Sequence, residues 1–253
     1  MRFLEKIFQC ISEYALPTAC IICEHHQKAN VCNNCLQSLY ENALFNYECC
    51  RQCGISLDAS EIEEQHCKQC IANSPYFDAS YCLDRYEGSL QDALHQLKYQ
   101  KRLAYADGLA KVWNAIFVQQ LPDEKATYLL PVPLSPEKLA LRGFNQSWEI
   151  ARRIDSGSQI KKMPYTLKRQ HFSGQQAGSK RTDRSLSIQE MFYVEERHLE
   201  LLQGHSIIVF DDVMTSGATL NEIARILKDN GVSCVINWVL LRATRPIQRI
   251  SHV

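Results

Sequence analysis

Four C-x-x-C pairs crowd the first third of the chain: Cys20/Cys23, Cys32/Cys35, Cys50/Cys53 and Cys67/Cys70. Nine of the twelve cysteines lie between Cys20 and Cys70, in a stretch with few long apolar runs. Such a stretch needs cross-links to fold, either disulfides or metal. Met1 to Leu16 carries Glu5, Lys6 and Glu13, so it lacks the basic and apolar regions of a secretory signal. No apolar run approaches the ~18 residues needed to span a bilayer, and no membrane span is expected. These features predict a cytoplasmic chain whose thiols stay reduced, and therefore metal.

A C-x-x-C turn brings two thiolates to one ion, and local N–H groups stabilise their charge. Two such turns close a tetrahedral four-cysteine zinc site with no open position, which makes it structural. Four turns predict two zinc ions. Sequential pairing joins Cys20/Cys23 with Cys32/Cys35 and Cys50/Cys53 with Cys67/Cys70; interleaved pairing fits the spacing as well. Iron–sulfur ligation is the competing chemistry. With so little apolar sequence, the segment would draw much of its folding energy from the metal. Cys49 reads as a bystander, and His25, His26 and His66 as solvated loop residues. Cys10, Cys82 and Cys234 lie in apolar patterns and read as packing residues.

Periodicity outlines the rest. Residues 3–16 have helical spacing, and Pro17 ends them. Beyond Tyr81, helices and strands alternate: a helical stretch over 88–119 broken near Tyr99–Arg102, a short strand at 127–133, then loop and helix from Pro136 to Ile154. A polar, basic loop follows at 164–187, then a strand at 205–210, a helix at 219–230 closed by Gly231, and a strand at 232–241. Continuously apolar strands joined through helices predict an α/β fold with a parallel sheet covered by helices on both faces. The organisation expected is an N-terminal helix over 1–17, a double four-cysteine zinc module over 18–75, and an α/β domain over 76–253.

The 28 basic and 28 acidic residues cancel, but not locally. Residues 1–83 hold 5 basic and 10 acidic side chains, whereas Lys138 to Arg184 holds 11 basic and 3 acidic. Global charge excludes a strongly basic nucleic-acid binder, and the basic segment calls for an anion. The stretch IIVFDDVMTSGATL (207–220) supplies a fitting site. An apolar strand delivers Asp211 and Asp212, and a turn of Thr215, Ser216, Gly217, Ala218 and Thr219 opens a helix. Backbone N–H groups and hydroxyls there suit a phosphate, and the acids suit ribose hydroxyls or Mg²⁺. Neither the ATPase P-loop pattern nor G-x-G-x-x-G is present. The bland alternative is a surface βα turn, which leaves two acids at the end of a buried strand without a partner.

These residues resemble the phosphoribosyl-pyrophosphate (PRPP) signature of type I phosphoribosyltransferases. Further stretches narrow the resemblance to the ComF family (ComF, ComFC and GntX-type proteins): YEGSLQDALHQLKYQ (86–100), PVPLSPEKLALRGFNQS (131–147), and the spacing of Gln176, Arg184 and Phe192. It covers nearly the whole chain. Ser187 departs from the pattern, where the family usually has Asn.

The resemblance implies a phosphoribosyltransferase-like sheet and a PRPP site with Mg²⁺. Asp211 and Asp212 would hold the ribose hydroxyls, and Thr215 to Thr219 the 5′-phosphate. The Pro133–Gly143 loop, with Arg142 and Gly143, would hold pyrophosphate, and the loop 168–187 would close over it through Arg184, a catalytic contact alongside the two acids. Arg142, Arg184 and Lys98 also fit as ordinary surface cations. Thr215 replaces the Asp of purine-salvage relatives, which disfavours a 6-oxopurine acceptor. The family association further implies DNA uptake in natural transformation, with single-stranded DNA and a competence helicase or DNA-processing protein as partners. Arg242, Arg245 and Arg249 are the expected DNA contacts, with Phe144 and Phe172 as stacking candidates. A purely metabolic phosphoribosyltransferase is the alternative.

Overall fold

The structure is a computed structural model that describes residues 18–117, 126–170 and 191–245. The expected N-terminal helix, Cys10, Phe172, Gln176, Arg184, Ser187 and Arg249 lie outside these residues.

The cysteine-rich stretch forms a two-residue ladder, β1 (Thr18–Ala19) with β2 (His26–Gln27), then helix α1 (Asn33–Asn42) and the short α2 (Lys68–Ala72). The α/β part begins with β3 (Ala79–Arg85) and the helices α3 (Gly88–Tyr99) and α4 (Ala104–Ile116). Strand β4 (Tyr128–Pro131), α5 (Pro136–Arg142), α6 (Gln146–Ala151) and β5 (Lys161–Lys162) follow. Next come β6 (Leu167–Arg169), β7 (Phe192–Val194) and α7 (Leu199–Leu202), and then β8 (Ser206–Met214), α8 (Ala218–Asp229) and β9 (Cys234–Arg242).

Five strands form one sheet in the order β3-β9-β8-β4-β5, and every pairing is parallel. Alternate residues of β8 feed different cores. Ile208 and Phe210 join Leu94, Leu109, Trp113 and Ile150 of α3, α4 and α6. Ile207 and Val209 join Leu220, Ile223 and Leu227 of α8. The sheet is thus buried on both faces, as its unbroken apolar strands require.

The cysteine-rich stretch lies along the β3 edge. The Ser80 N–H of β3 donates to the Arg51 carbonyl (3.3 Å), which covers part of that edge. Cys20, Val31 and Leu39 belong to the first core, and Cys50, Cys53, Cys67 and Cys70 to the second. The stretch completes its apolar burial by sharing both cores with the sheet.

Two sequence boundaries move. The strand expected at 205–210 runs on to Met214, because β9 stays in register with it through Met214↔Arg242. Asp211 and Asp212 therefore sit inside the strand, not after it. The loop expected from 164 begins instead with β6, held antiparallel to β7 through Arg169↔Phe192. A three-residue strand containing two cations is too short to show a period.

Candidate functional site

The two cysteine sets come together sequentially, with Cys20, Cys23, Cys32 and Cys35 in one and Cys50, Cys53, Cys67 and Cys70 in the other. Within each, the sulfurs lie within 4.8 Å of one another. Cys23 and Cys32 are 3.9 Å apart, and Cys53 and Cys67 3.7 Å apart. A tetrahedral ion with sulfur bonds of about 2.3 Å needs sulfurs about 3.8 Å apart, so both clusters fit such an ion. Amides turn toward the sulfurs as the C-x-x-C turn requires: Cys32 N–H to Cys20 Sγ and Cys35 N–H to Cys32 Sγ, each 3.4 Å. Burial alone would raise the Cys20 thiol, but such N–H contacts bring it down to about 6. The Cys50 thiol falls to about 4, chiefly through a hydrogen bond from Cys53. Cys49 stays outside the cluster and donates to the Leu44 carbonyl (3.7 Å). His66 faces the Glu64 carbonyl.

A second constellation gathers where the parallel strands end, the usual ligand position of such sheets. Asp211 and Asp212 are 9% and 4% exposed. Asp212 forms an ion pair with Lys98 of α3 and accepts from Gln146 Nε2 at 3.3 Å. Ser147 Oγ donates to Asp211 at 3.3 Å. Burial, then the neighbouring Asp212 charge, keep the Asp211 carboxyl protonated well above the usual carboxylate range. Burial also works against ionisation of Asp212, but Lys98 outweighs it and holds that carboxyl below its ordinary value. The two carboxyls are thus pushed in opposite directions.

Gln146 and Ser147 reach the acids because of the turn before them. Ser135 caps α5 by accepting from the Lys138 N–H, with Pro136 in the first turn. Gly143 stops α5 at φ +86°, a left-handed conformation that few other residues adopt, and Asn145 caps α6 through the Ser147 N–H at 3.0 Å. Arg142 donates to Gln146 Oε1, and its guanidinium lies 5.7 Å from the centroid of the Tyr99 ring. The block RGFNQS is thus a helix stop and restart that presents Gln146 and Ser147 to Asp212 and Asp211, with Arg142 behind Gln146.

The expected phosphate turn follows β8. Gly217 caps α8 at φ +80°, a left-handed conformation that favours glycine, and its Cα faces the Met214 side chain closely enough that a Cβ would meet Met214 Cε at 2.6 Å. Thr215 and Ser216 are exposed, and Ala218 and Thr219 lie in the first turn of α8, where the Ala218 N–H donates to Ser216 Oγ at 3.4 Å.

Two expectations fail. Arg242 is 3% exposed and spends its guanidinium on backbone carbonyls. Arg245 pairs with Asp58 and Glu61. Neither offers a free cation to DNA. Phe144 is partly buried and packs against the first core. An apolar run followed by arginines does not disclose that the strand's own carbonyl neighbours will claim the first of them. Lys98, Gln146 and Ser147 enter as partners of the acids; the sequence signal for Lys98 was its place within a helix, which fits a surface lysine equally.

A family model described as phosphoribosyl transferase domain matches residues 144–252. The chain is 27% identical over 232 residues to competence protein F of Haemophilus influenzae, covering 88% of this chain and 96% of that protein. It is 27% identical over 201 residues to the DNA utilization protein YhgH of Escherichia coli K12 (76% and 83% covered). To competence protein ComFC of Bacillus subtilis it is 30% identical over 159 residues, 62% of each chain. The parallel sheet and the matched model define a fold of the phosphoribosyltransferase type. With its paired cysteine clusters, the chain is similar over most of its length to proteins named competence protein F and DNA utilization protein YhgH. Among the described residues no helix is long and apolar enough to cross a membrane.

Proposed function

We propose that the chain binds PRPP with Mg²⁺ at the acid pair and the Thr215–Thr219 turn, carries one zinc ion in each cysteine cluster, and handles single-stranded DNA during uptake. The observation that carries the first part is the buried Asp211–Asp212 pair beside a glycine-opened helix start. A buried pair of acids with a single cation partner is costly to fold and is suited to a ligand that brings its own cation and hydroxyls. In this reading Mg²⁺ supplies charge neutralisation for the pyrophosphate. Asp211 and Asp212 orient the ribose, the turn holds the 5′-phosphate, and Arg142 stands beside the leaving group. The test is titration calorimetry with PRPP and Mg²⁺ on the intact chain and on the Asp211→Asn, Asp212→Asn double variant. Binding that is lost in the variant supports the site; equal affinity in both refutes it.

The DNA part rests on the relatives named competence protein and DNA utilization protein, together with a basic, aromatic surface beside the acid pair. Tyr99 is 63% exposed with Arg142 over its ring, and His95 meets its edge at 4.9 Å. Lys101, Arg102 and Lys138 are exposed nearby in the chain, and among the described residues no carboxylate pairs with them. Exposed rings among free cations suit the bases and phosphates of a single strand.

A further inference from the structure

The second cysteine cluster is wired to both ends of the phosphate turn. Arg242, the last residue of β9, donates from Nε to the Cys53 carbonyl at 2.9 Å. Its Nη1 serves the carbonyls of Met214 (3.1 Å), Ala243 (2.6 Å) and Thr215. Among the described residues no carboxylate pairs with it, so carbonyl dipoles from three segments stabilise a buried guanidinium. Such a fork suits convergent oxygens, and each lost acceptor leaves a buried donor unsatisfied. The cation also stands directly behind a turn that presents its N–H groups to an anion.

A second line runs from Gln52, between Cys50 and Cys53. Its Nε2 lies 3.2 Å from the Phe77 carbonyl and 3.1 Å from Ser74 Oγ. Buried Phe77 reaches Gly217, where a Cβ would stand 3.9 Å from its Cζ. The adjacent Tyr76 N–H donates to Asn221 Oδ1 at 2.7 Å, in the first turn of α8. The first cluster has a different neighbour: Ile21, beside Cys20, packs against Gly108 of α4, so closely that a Cβ there would meet its Cδ1 at 2.5 Å.

We propose that the metal in the second cluster fixes the phosphate turn through Arg242, a positioning residue, so that metal retention there and phosphate binding are coupled, while the first cluster is uncoupled. This rests on the PRPP and zinc readings above. Coupling is reciprocal: a metal that orders the turn for its ligand is in turn held more tightly when the ligand is bound.

The test uses the full chain loaded with two zinc ions. A chromophoric chelator withdraws the metal with and without Mg²⁺ and PRPP. One zinc per chain is expected to leave about 5-fold more slowly or better when PRPP is bound, within the usual range of coupling, and the other at an unchanged rate. Arg242→Met is expected to erase that protection while retaining two zinc ions; if it does not fold, Gln52→Ala and Asn221→Ala each cut a milder link and should reduce the protection. Equal slowing of both ions, or of neither, in a chain that binds PRPP overturns the proposal. If the chain binds no PRPP, the functional reading falls, and hydrogen exchange of the ligand-free protein decides the coupling alone. Cys67→Ser is then expected to speed exchange at 215–220, and Cys32→Ser to leave it unchanged; equal exchange in the two variants overturns it.

Discussion

The Lys98 ammonium and the Asp212 carboxylate form an ion pair whose side chains are 13% and 6% exposed, and this pair allows β8 to carry two adjacent acids through a buried strand. Removing one partner strands the other charge. Lys98→Met is expected to destabilise the protein by about 3–5 kcal/mol and to raise the Asp212 carboxyl. Denaturant unfolding measures the loss, and unchanged stability would show that the pair is not buried in solution.

Asp211 behaves in the opposite way. Its carboxyl is pushed above the usual range by burial and by Asp212, so between the unfolded and the folded pKa the folded chain holds a proton that the unfolded chain has released. The stability contributed by that site is full below the unfolded pKa and is lost as pH rises toward the folded one. Asp211→Asn removes this dependence. The variant is expected to match or exceed the parent in thermal stability at neutral pH, with the gap widening as pH increases. A variant that loses stability with rising pH as the parent does would contradict the protonated state.

The same proton governs ligand binding. If PRPP with Mg²⁺ binds at the acid pair as proposed, it would displace this proton, so its affinity should rise with pH, by up to about tenfold per unit where one proton is released. Calorimetry in buffers of different ionisation enthalpy counts the proton. Binding with no proton released would place the cation away from Asp211.

For DNA, charge reversal at Lys101 and Arg102 should flatten the salt dependence of single-strand affinity by about 0.7 per lost phosphate contact. Tyr99→Ala should weaken binding by about 1–3 kcal/mol through lost stacking. Fluorescence anisotropy across a salt series measures both. An unaltered slope in the charge-reversal variant would move the DNA to another surface or to a partner protein.

How much of this was legible in the sequence follows from the range of each signal. The cysteine sets, the parallel sheet and the glycine-opened turn are local patterns, and Cys20–Cys35 and Gly217 stand where the spacing placed them, whereas β8 runs four residues past its expected end. The sequential pairing of the cysteines was one of two options, and only the fold chose between them. Arg242 was misread because its partners, Cys53 and Thr215, are distant in sequence, and a buried guanidinium looks the same as a solvated one in a string of letters. Lys98 was ambiguous for the same reason: its meaning depends on which strand lies beneath α3.

The most direct measurement of the central claim is amide NMR of the isotopically labelled chain titrated with PRPP and Mg²⁺. Shifts concentrated at Asp211–Asp212, at Ser216–Thr219 and around Arg142–Ser147 are expected. Saturable PRPP binding with those amides unmoved, or no binding at all, would contradict it.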